Sequence, residues 1–273
     1  MIERSIDELK KIATSVRIDI VEMTYNAGKR GAHLGGSMSC VEILVALYMG
    51  IMKCPEAVQR SDRDRFILSK GHAAMALYAV LHQKGIIPEY EIKNALKDGS
   101  LLCEHPKMND SYGIEVSGGS LGQGLSIGAG MALALKKKNN NANVYVLLGD
   151  GECNEGQVWE AAHTIQHYRL NNVVTIVDKN GLQFDGRTKD VQDGNRLKEN
   201  WESYGFDVVE IDGHSFEQLI RALSDRNSIP KVIIANTVKG KGISFAENAT
   251  EWHSNFLTDE QYFKAKDELK KSD

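Results

Sequence analysis

Residues 144–186 read VYVLLGDGECNEGQVWEAAHTIQHYRLNNVVTIVDKNGLQFDG. The stretch opens on an apolar, β-branched run, Val144 to Leu148, too short for a helix and ended by Gly149-Asp150-Gly151. Apolar residues then recur at three- and four-residue steps, at Val158, Ala161, Ala162 and Ile165, which is the period of one helix face. A second apolar run, Val173 to Val177, stops at Asp178-Lys179-Asn180-Gly181. Strand, helix, strand is one βαβ unit, and its default topology is two adjacent parallel strands. Neighbouring strands lie about 4.8 Å apart. The unit therefore presents Asp150 and Asn180 side by side at the carboxyl end of a sheet.

Open α/β sheets bind ligands at that end. A carboxylate and an amide oxygen, with glycine beside each, suit a hard divalent cation holding phosphates. Mg²⁺ takes about six oxygens and only one or two of them from carboxylates. Gly149 and Gly151 would let backbone approach a diphosphate closely. Taken singly, Gly-Asp-Gly and Asn180-Gly181 are also ordinary turns. The ordered series of strand, GDG, helix, strand and x-x-Asn is far more specific.

At 273 residues the chain can bury a full core. The expectation is one α/β domain over residues 1–273: a three-layer parallel sheet flanked by helices, with further helices at both termini. Charged residues make up 26% and the net charge is −4, so nothing marks a nucleic-acid surface. No apolar run approaches the ~20 residues that span a bilayer. The start, MIERSIDELKK, is charged and amphipathic and does not read as a secretory signal. Cys40, Cys54, Cys103 and Cys153 form no C-x-x-C pair, which fits reduced thiols in a cytoplasm. Cys103, His105 and His72 lack the closely paired spacing of a zinc site.

Around the central unit, Ser5 to Gly28 reads as a long helix with Ile6, Leu9, Ile12, Ala13, Val16, Ile20 and Met23 on one face. A helix is expected near Cys40 to Met49 with Ser39 as its N-cap. Arg65 to Leu68 reads as a strand ending at Ser69-Lys70-Gly71-His72, followed by a helix to about His82. Pro88 to Leu96 reads as a surface helix, and Leu125 to Leu135 as a small-residue helix after Gly118-Gly119-Ser120-Leu121-Gly122-Gln123-Gly124. Those glycines could cradle phosphate. They lack the lysine of an ATP-binding P-loop and the spacing of a Rossmann fingerprint. A helix from Asn195 to Tyr204, a strand from Asp207 to Ile211, Asp212-Gly213-His214-Ser215, and a helix to Leu223 give another β-α step. A strand from Lys231 to Ala235 and a charged helix from Thr258 to Lys271 complete the order.

GDG with Asn about thirty residues on, at the end of the next strand, resembles the thiamine diphosphate motif, and the chain is similar to the diphosphate-binding domain of transketolases. The resemblance runs from His33 to His253 through six motifs in family order. It implies thiamine diphosphate with Mg²⁺ or another divalent cation, the metal being held by Asp150, Asn180 and the main chain of Leu182. His33 in Ala-His-Leu-Gly, His72 in Ser-Lys-Gly-His, His105 in Glu-His-Pro and His253 in Trp-His match histidines that meet the coenzyme or the sugars. Ala32, Leu34 and Glu104 depart from the usual pattern; Gly-His-Leu-Gly is also similar to deoxyxylulose phosphate synthases. Gly119 and Leu121 would lie against the aminopyrimidine, Gly149, Asp150, Gly151 and Asn180 against the diphosphate, and Lys239 of Lys-Gly-Lys-Gly near the coenzyme.

Glu155, in GDG-x-x-x-E-G, implies a carboxylate network at a subunit interface and favours transketolase over the synthases. Glu160, in Trp-Glu-Ala, would join that network, the alternative for both being a solvated helix carboxylate. The implied reaction is transfer of a two-carbon ketol unit from a ketose phosphate to an aldose phosphate. In that family the glutamate that activates the coenzyme comes from a separate pyrimidine-binding domain. The expected partner is therefore a second, C-terminal transketolase subunit in a heterotetramer, with the chain alone inactive. The alternatives are a synthase-like or dehydrogenase-type half-enzyme, and a coenzyme-binding scaffold without catalysis.

Overall fold

Strands that are apolar on both faces demand cover on both faces, and the chain supplies it. The computed structural model describes residues 4–192 and 196–271. In chain order the elements are α1 (Ile6–Asn26), α2 (Leu34–Met38), α3 (Val41–Ala46), β1 (Arg65–Leu68), α4 (Ala74–Gln83), α5 (Glu89–Asn94), α6 (Gln123–Lys137), β2 (Val144–Gly149) and α7 (Gly156–His167). There follow β3 (Val173–Lys179), β4 (Leu182–Gln183), β5 (Gly186–Arg187), α8 (Thr188–Val191), α9 (Leu197–Ser203), β6 (Asp207–Asp212), α10 (Phe216–Ser224), β7 (Lys231–Asn236) and α11 (Asp259–Lys271). Five strands form a parallel sheet in the order β1-β2-β3-β7-β6. The βαβ unit has the expected parallel neighbours, with Gly149 opposite Asp178, so Asp150 and Asn180 leave adjacent strand ends.

Side chains alternate along each strand. Tyr145 and Leu147 of β2, Val174 and Ile176 of β3, and Ile233 and Ala235 of β7 join one core with α1, α3, α4 and α10. Val144, Val146 and Leu148, Val173 and Val177, and Val232 and Ile234 join the other, with α6, α7 and α9. This is the period-2 geometry of a strand with a hydrophobic layer on each side. The helix α7 buries Val158, Ala161, Ala162 and Ile165, the four residues its period picks out. Ser5 and Glu8 close a reciprocal capping box at the start of α1, which fixes where that helix begins.

Two expectations change. The helix at Cys40–Met49 is an α-helical segment, α3, that widens to a π turn over Leu47–Ile51, and its N-cap is Cys40 with no side-chain cap. The Ser39 hydroxyl turns instead to Asp178 Oδ2 at 2.6 Å and Gly36 O at 3.1 Å, because a buried carboxylate makes the stronger, charge-assisted bond. The helix expected from Asn195 is observed as α9; Asn195 itself lies outside the described residues. The short antiparallel hairpin β4–β5 carries too few residues to show a periodic pattern. Among the described residues no helix is long and apolar enough to cross a membrane.

Candidate active site

At the carboxyl ends of β2 and β3, Asp150 and Asn180 are set by short-range hydrogen bonds. Asp150 Oδ1 accepts from Gly151 N at 3.0 Å, and Oδ2 accepts from Gly181 N at 2.8 Å and Thr188 Oγ1 at 3.1 Å. Asn180 Oδ1 accepts from Leu182 N at 3.1 Å. Burial, and then the neighbouring Asp178, push the Asp150 carboxyl above its ordinary range. A Cβ at Gly151 would meet Gln183 Oε1 at 2.9 Å and Gln183 Cβ at 3.1 Å, so that side chain would have to shift.

Beneath these groups lies an ion pair that strand-end motifs did not reveal. Lys70, at the end of β1, donates to Asp178 Oδ2, and both side chains are fully buried. Lys70 also donates to Gly36 O at 2.9 Å, while Asp178 accepts from Ser39 and Thr237. Burial disfavours both charges, yet each holds the other ionised: the Asp178 carboxyl is lowered and the Lys70 ammonium raised. Glu152 is the second interior carboxylate. It accepts from Gly149 N at 2.9 Å, from Gly122 N at 2.8 Å and from Ser69 Oγ, so it ties the GDG turn to the glycine-rich loop; burial raises its carboxyl. The amide of Gly122 is thus committed to Glu152. The sequence signal for these three residues was weak, since each sits at a strand end or in the turn after it and finds a partner far along the chain.

The four sequence-selected histidines converge. His33 is central, with ring centroids 5.7 Å from His72, 5.6 Å from His105 and 5.3 Å from His253; His72 and His253 lie 5.2 Å apart. A two-residue bridge between Ala32 and Asn255 brings the first and last of them together. Gly36 leaves room for the His72 ring, which a Cβ would approach to 2.9 Å. Burial first, then nearby cationic groups, hold His72 well below the usual imidazole range and His253 at about 3. Burial also lowers His33, partly offset by Glu104. The His33 Nδ1 atom is 3.1 Å from Glu104 Oε1, yet among the described residues it makes no hydrogen bond.

Lys239 joins the two ends. Its buried ammonium donates to Leu182 O at 3.2 Å and lies 2.9 Å from His253 Nδ1. Burial, then repulsion from Lys70, lower it to about 8. A cavity of about 410 Å³ joins the histidines to the strand-end groups, lined by the four histidines, Gly119, Leu121, Gly149, Asp150, Gly151, Glu155, Asn180 and Leu182. A second cavity of about 340 Å³ lies across Asp150 beside Trp159 and Arg187 and reaches none of the histidines. The first brings the histidines and the strand-end oxygens together. Glu155 and Glu160 are exposed on α7 and its approach, Glu155 at the rim of that cavity, so among the described residues neither makes a network within this chain.

The donor set fits a metal-bound diphosphate. Asp150 carboxylate, Asn180 amide oxygen and Leu182 carbonyl are hard oxygen donors on adjoining turns, and Lys239 provides a cation beside them. Among the described residues no cluster of three His, Cys, Asp or Glu side chains competes for a metal.

The sequence profile of the family described as "Transketolase, thiamine diphosphate binding domain" matches residues 8–271. The A subunit of the apulose-4-phosphate transketolase of Phocaeicola vulgatus is 41% identical over 90% of this chain and 88% of its own. The 6-deoxy-6-sulfo-D-fructose transketolase subunit SqwG of Clostridium sp. (strain MSTE9) is 39% identical over 89% of this chain and 90% of its own. The crystal structure of transketolase from Campylobacter jejuni superposes with a TM-score of 0.90 at 29% identity, covering 98% of this chain, which spans 43% of that longer one. The chain belongs to the transketolase family and comprises its thiamine diphosphate-binding domain.

Proposed function

We propose that this chain is the diphosphate-binding subunit of a two-chain transketolase, transferring a two-carbon ketol unit between sugar phosphates. The carrying observation is the joint cavity: a hard-oxygen metal set at one end and four converging histidines at the other. Asp150, Asn180 and the Leu182 carbonyl would hold Mg²⁺ or a similar divalent cation. The backbones of Gly119 and Leu121 and of Gly149 to Gly151 would line the coenzyme, with Lys239 opposing its charge. When bound, thiamine diphosphate supplies the nucleophile and electron sink for cutting and forming the carbon–carbon bond.

The protein residues supply orientation and protons. At neutral pH His72 and His253 are uncharged. The Lys239 ammonium donates to His253 Nδ1, so the His253 proton resides on Nε2 and is available to a sugar oxygen. His33 and His105, on facing loops, are placed to bind the hydroxyl groups of donor and acceptor and to exchange their protons. Four such rings have no use in a scaffold. Glu155, exposed at the cavity rim, is the residue we place against a second subunit.

The partner reading is supported by relatives whose names make them the A subunits of apulose-4-phosphate transketolases. We take the partner to be a separate pyrimidine-binding transketolase chain and the assembly to be two of each chain, with residues 1–273 acting as one domain. The four free thiols fit a cytoplasmic setting. Two relatives of nearly equal identity are named for different ketoses, one a phosphate ester and one a sulfonate, so the ketose phosphate donor rests on the family resemblance and no individual sugar is assigned. The test is ketol transfer with Mg²⁺, thiamine diphosphate, xylulose 5-phosphate and ribose 5-phosphate, for the chain alone and with its partner. Turnover only with the partner is expected; robust turnover by the highly purified chain alone would refute the half-enzyme reading.

A further inference from the structure

The turn Asp212-Gly213-His214-Ser215 carries a histidine that no step above uses. Its ring is engaged at both nitrogens. Val238 N donates to Nε2 at 2.9 Å, so Nε2 carries no proton. The proton therefore sits on Nδ1, which donates to Glu42 Oε2 at 2.9 Å. Glu42, on α3, also takes a two-pronged contact from Arg17 of α1, at 2.7 and 2.9 Å. Arg17 then turns its Nε to Lys241 O at 3.2 Å. One carboxylate thus orients two side chains that grip the 238–241 loop on either side of Lys239.

The arrangement is more specific than packing requires. Arg17 and Glu42 are each 7% exposed, and replacing such charges by apolar side chains would cost the fold little. Burial would raise the Glu42 carboxyl, but Arg17 and then His214 hold it down at about 2, so it is ionised and accepts from both partners at neutral pH. The loop it grips has its other anchors at Gly240 N to Gly35 O, 3.0 Å, and Asn248 N to Lys239 O, 2.9 Å. Those two bonds tie the loop to Gly35 and Asn248, and the buried relay holds it through Val238 N and Lys241 O.

We propose that Arg17, Glu42 and His214 are positioning residues for Lys239, setting its loop so that the ammonium reaches Leu182 O and His253 Nδ1, two residues of the cavity wall. The role rests on the reading of Lys239 given above. Two substitutions separate the contacts by reach. His214→Asn keeps a donor for Glu42 but loses the acceptor for Val238, whereas the longer His214→Gln can restore an oxygen to Val238.

Amide exchange measured by NMR on the full chain should rise about 10-fold or more at Val238 in His214→Asn. In His214→Gln it should stay near the wild-type value, with β2 and β3 amides unchanged in both. Thiamine diphosphate affinity of the two-chain enzyme should fall about 10-fold in the first variant and recover in the second. Unchanged exchange at Val238 in His214→Asn would overturn the clamp. Equal losses in both variants would make His214 a general packing residue, and faster exchange with unaltered coenzyme affinity and kcat would overturn its positioning role. Lys239→Met separates the premise: wild-type coenzyme affinity there would refute the assignment of Lys239 while leaving the exchange result at Val238 standing.

Discussion

Around Asp150 the oxygens are wired by neighbours: two backbone amides and Thr188 meet the carboxylate, and the Leu182 amide meets Asn180. Around His33 the rings touch one another at 5.2–5.7 Å, and among the described residues neither His72 nor His105 has a side-chain hydrogen bond. One end of the cavity is fixed by the turn that carries it; the other is fixed by packing of four distant segments. The first suits a group held the same way in every turnover. The second leaves ring nitrogens free for groups that change as the reaction proceeds.

The sharpest way to break this contrast is at the wired end. Asp150→Ala should abolish metal-dependent coenzyme binding and lower ketol transfer by about 10³-fold or more. The melting temperature without coenzyme should move little, since loss of three hydrogen bonds is offset by release of a carboxylate held next to Asp178. Calorimetry showing unchanged thiamine diphosphate affinity would remove Asp150 from the metal set.

At the packed end the signature differs. His72→Ala and His253→Ala should each lower turnover by roughly two to four powers of ten, with coenzyme affinity changing much less. If both variants turn over normally, these rings are packing residues and the contrast fails.

The same division explains what could be read in the chain. The βαβ unit and its strand-end pair were legible because their determinants are contiguous: apolar runs, a helix period, and turns that wire themselves. The histidines were legible as residues, but their meeting depends on a bridge between Ala32 and Asn255 that no local pattern encodes. Lys70 and Asp178 stayed hidden at strand ends because each needs a partner 108 positions away. Ser39 looked like a cap for the same reason, its acceptor being 139 positions off. Glu152 read as part of a turn, though it is the strut between GDG and Gly122.

Acid sharpens the comparison further, because the two ends titrate with opposite sign. Buried His72 and His253 have folded-state values below the unfolded value of about 6.5, so the unfolded chain binds more protons in acid. Their contribution is intact above pH 6.5 and is lost progressively as pH falls, towards about 3 for His253. Asp150 and Glu152 are raised by burial, so the folded chain binds more protons and they favour the fold as pH falls from neutral towards about 4. Urea unfolding of the coenzyme-free chain between pH 7 and 5 should show a shallower acid loss in His253→Gln and a steeper one in Glu152→Gln. Parallel curves for both would contradict the opposition.

The smallest effect is expected where the packed end borrows a carboxylate. Glu104 stands where the family pattern has glycine, 3.1 Å from His33 Nδ1, with its side chain 47% exposed. A contact so open to solvent is worth at most about 1 kcal/mol once the ring is protonated, or roughly a factor of five. Burial already holds His33 below the usual range and Glu104 only partly restores it. Glu104→Gln should therefore leave turnover at pH 7.5 within about five-fold of wild type, while the acid limb of kcat/KM moves to lower pH. The direction is the informative part. Removing the carboxylate takes away a group that favours the imidazolium, so the variant must lose activity at lower pH than wild type does. A limb that stays in place would mean that His33 does not set it, and a limb that moves up would mean that Glu104 acts on the sugar rather than on the ring.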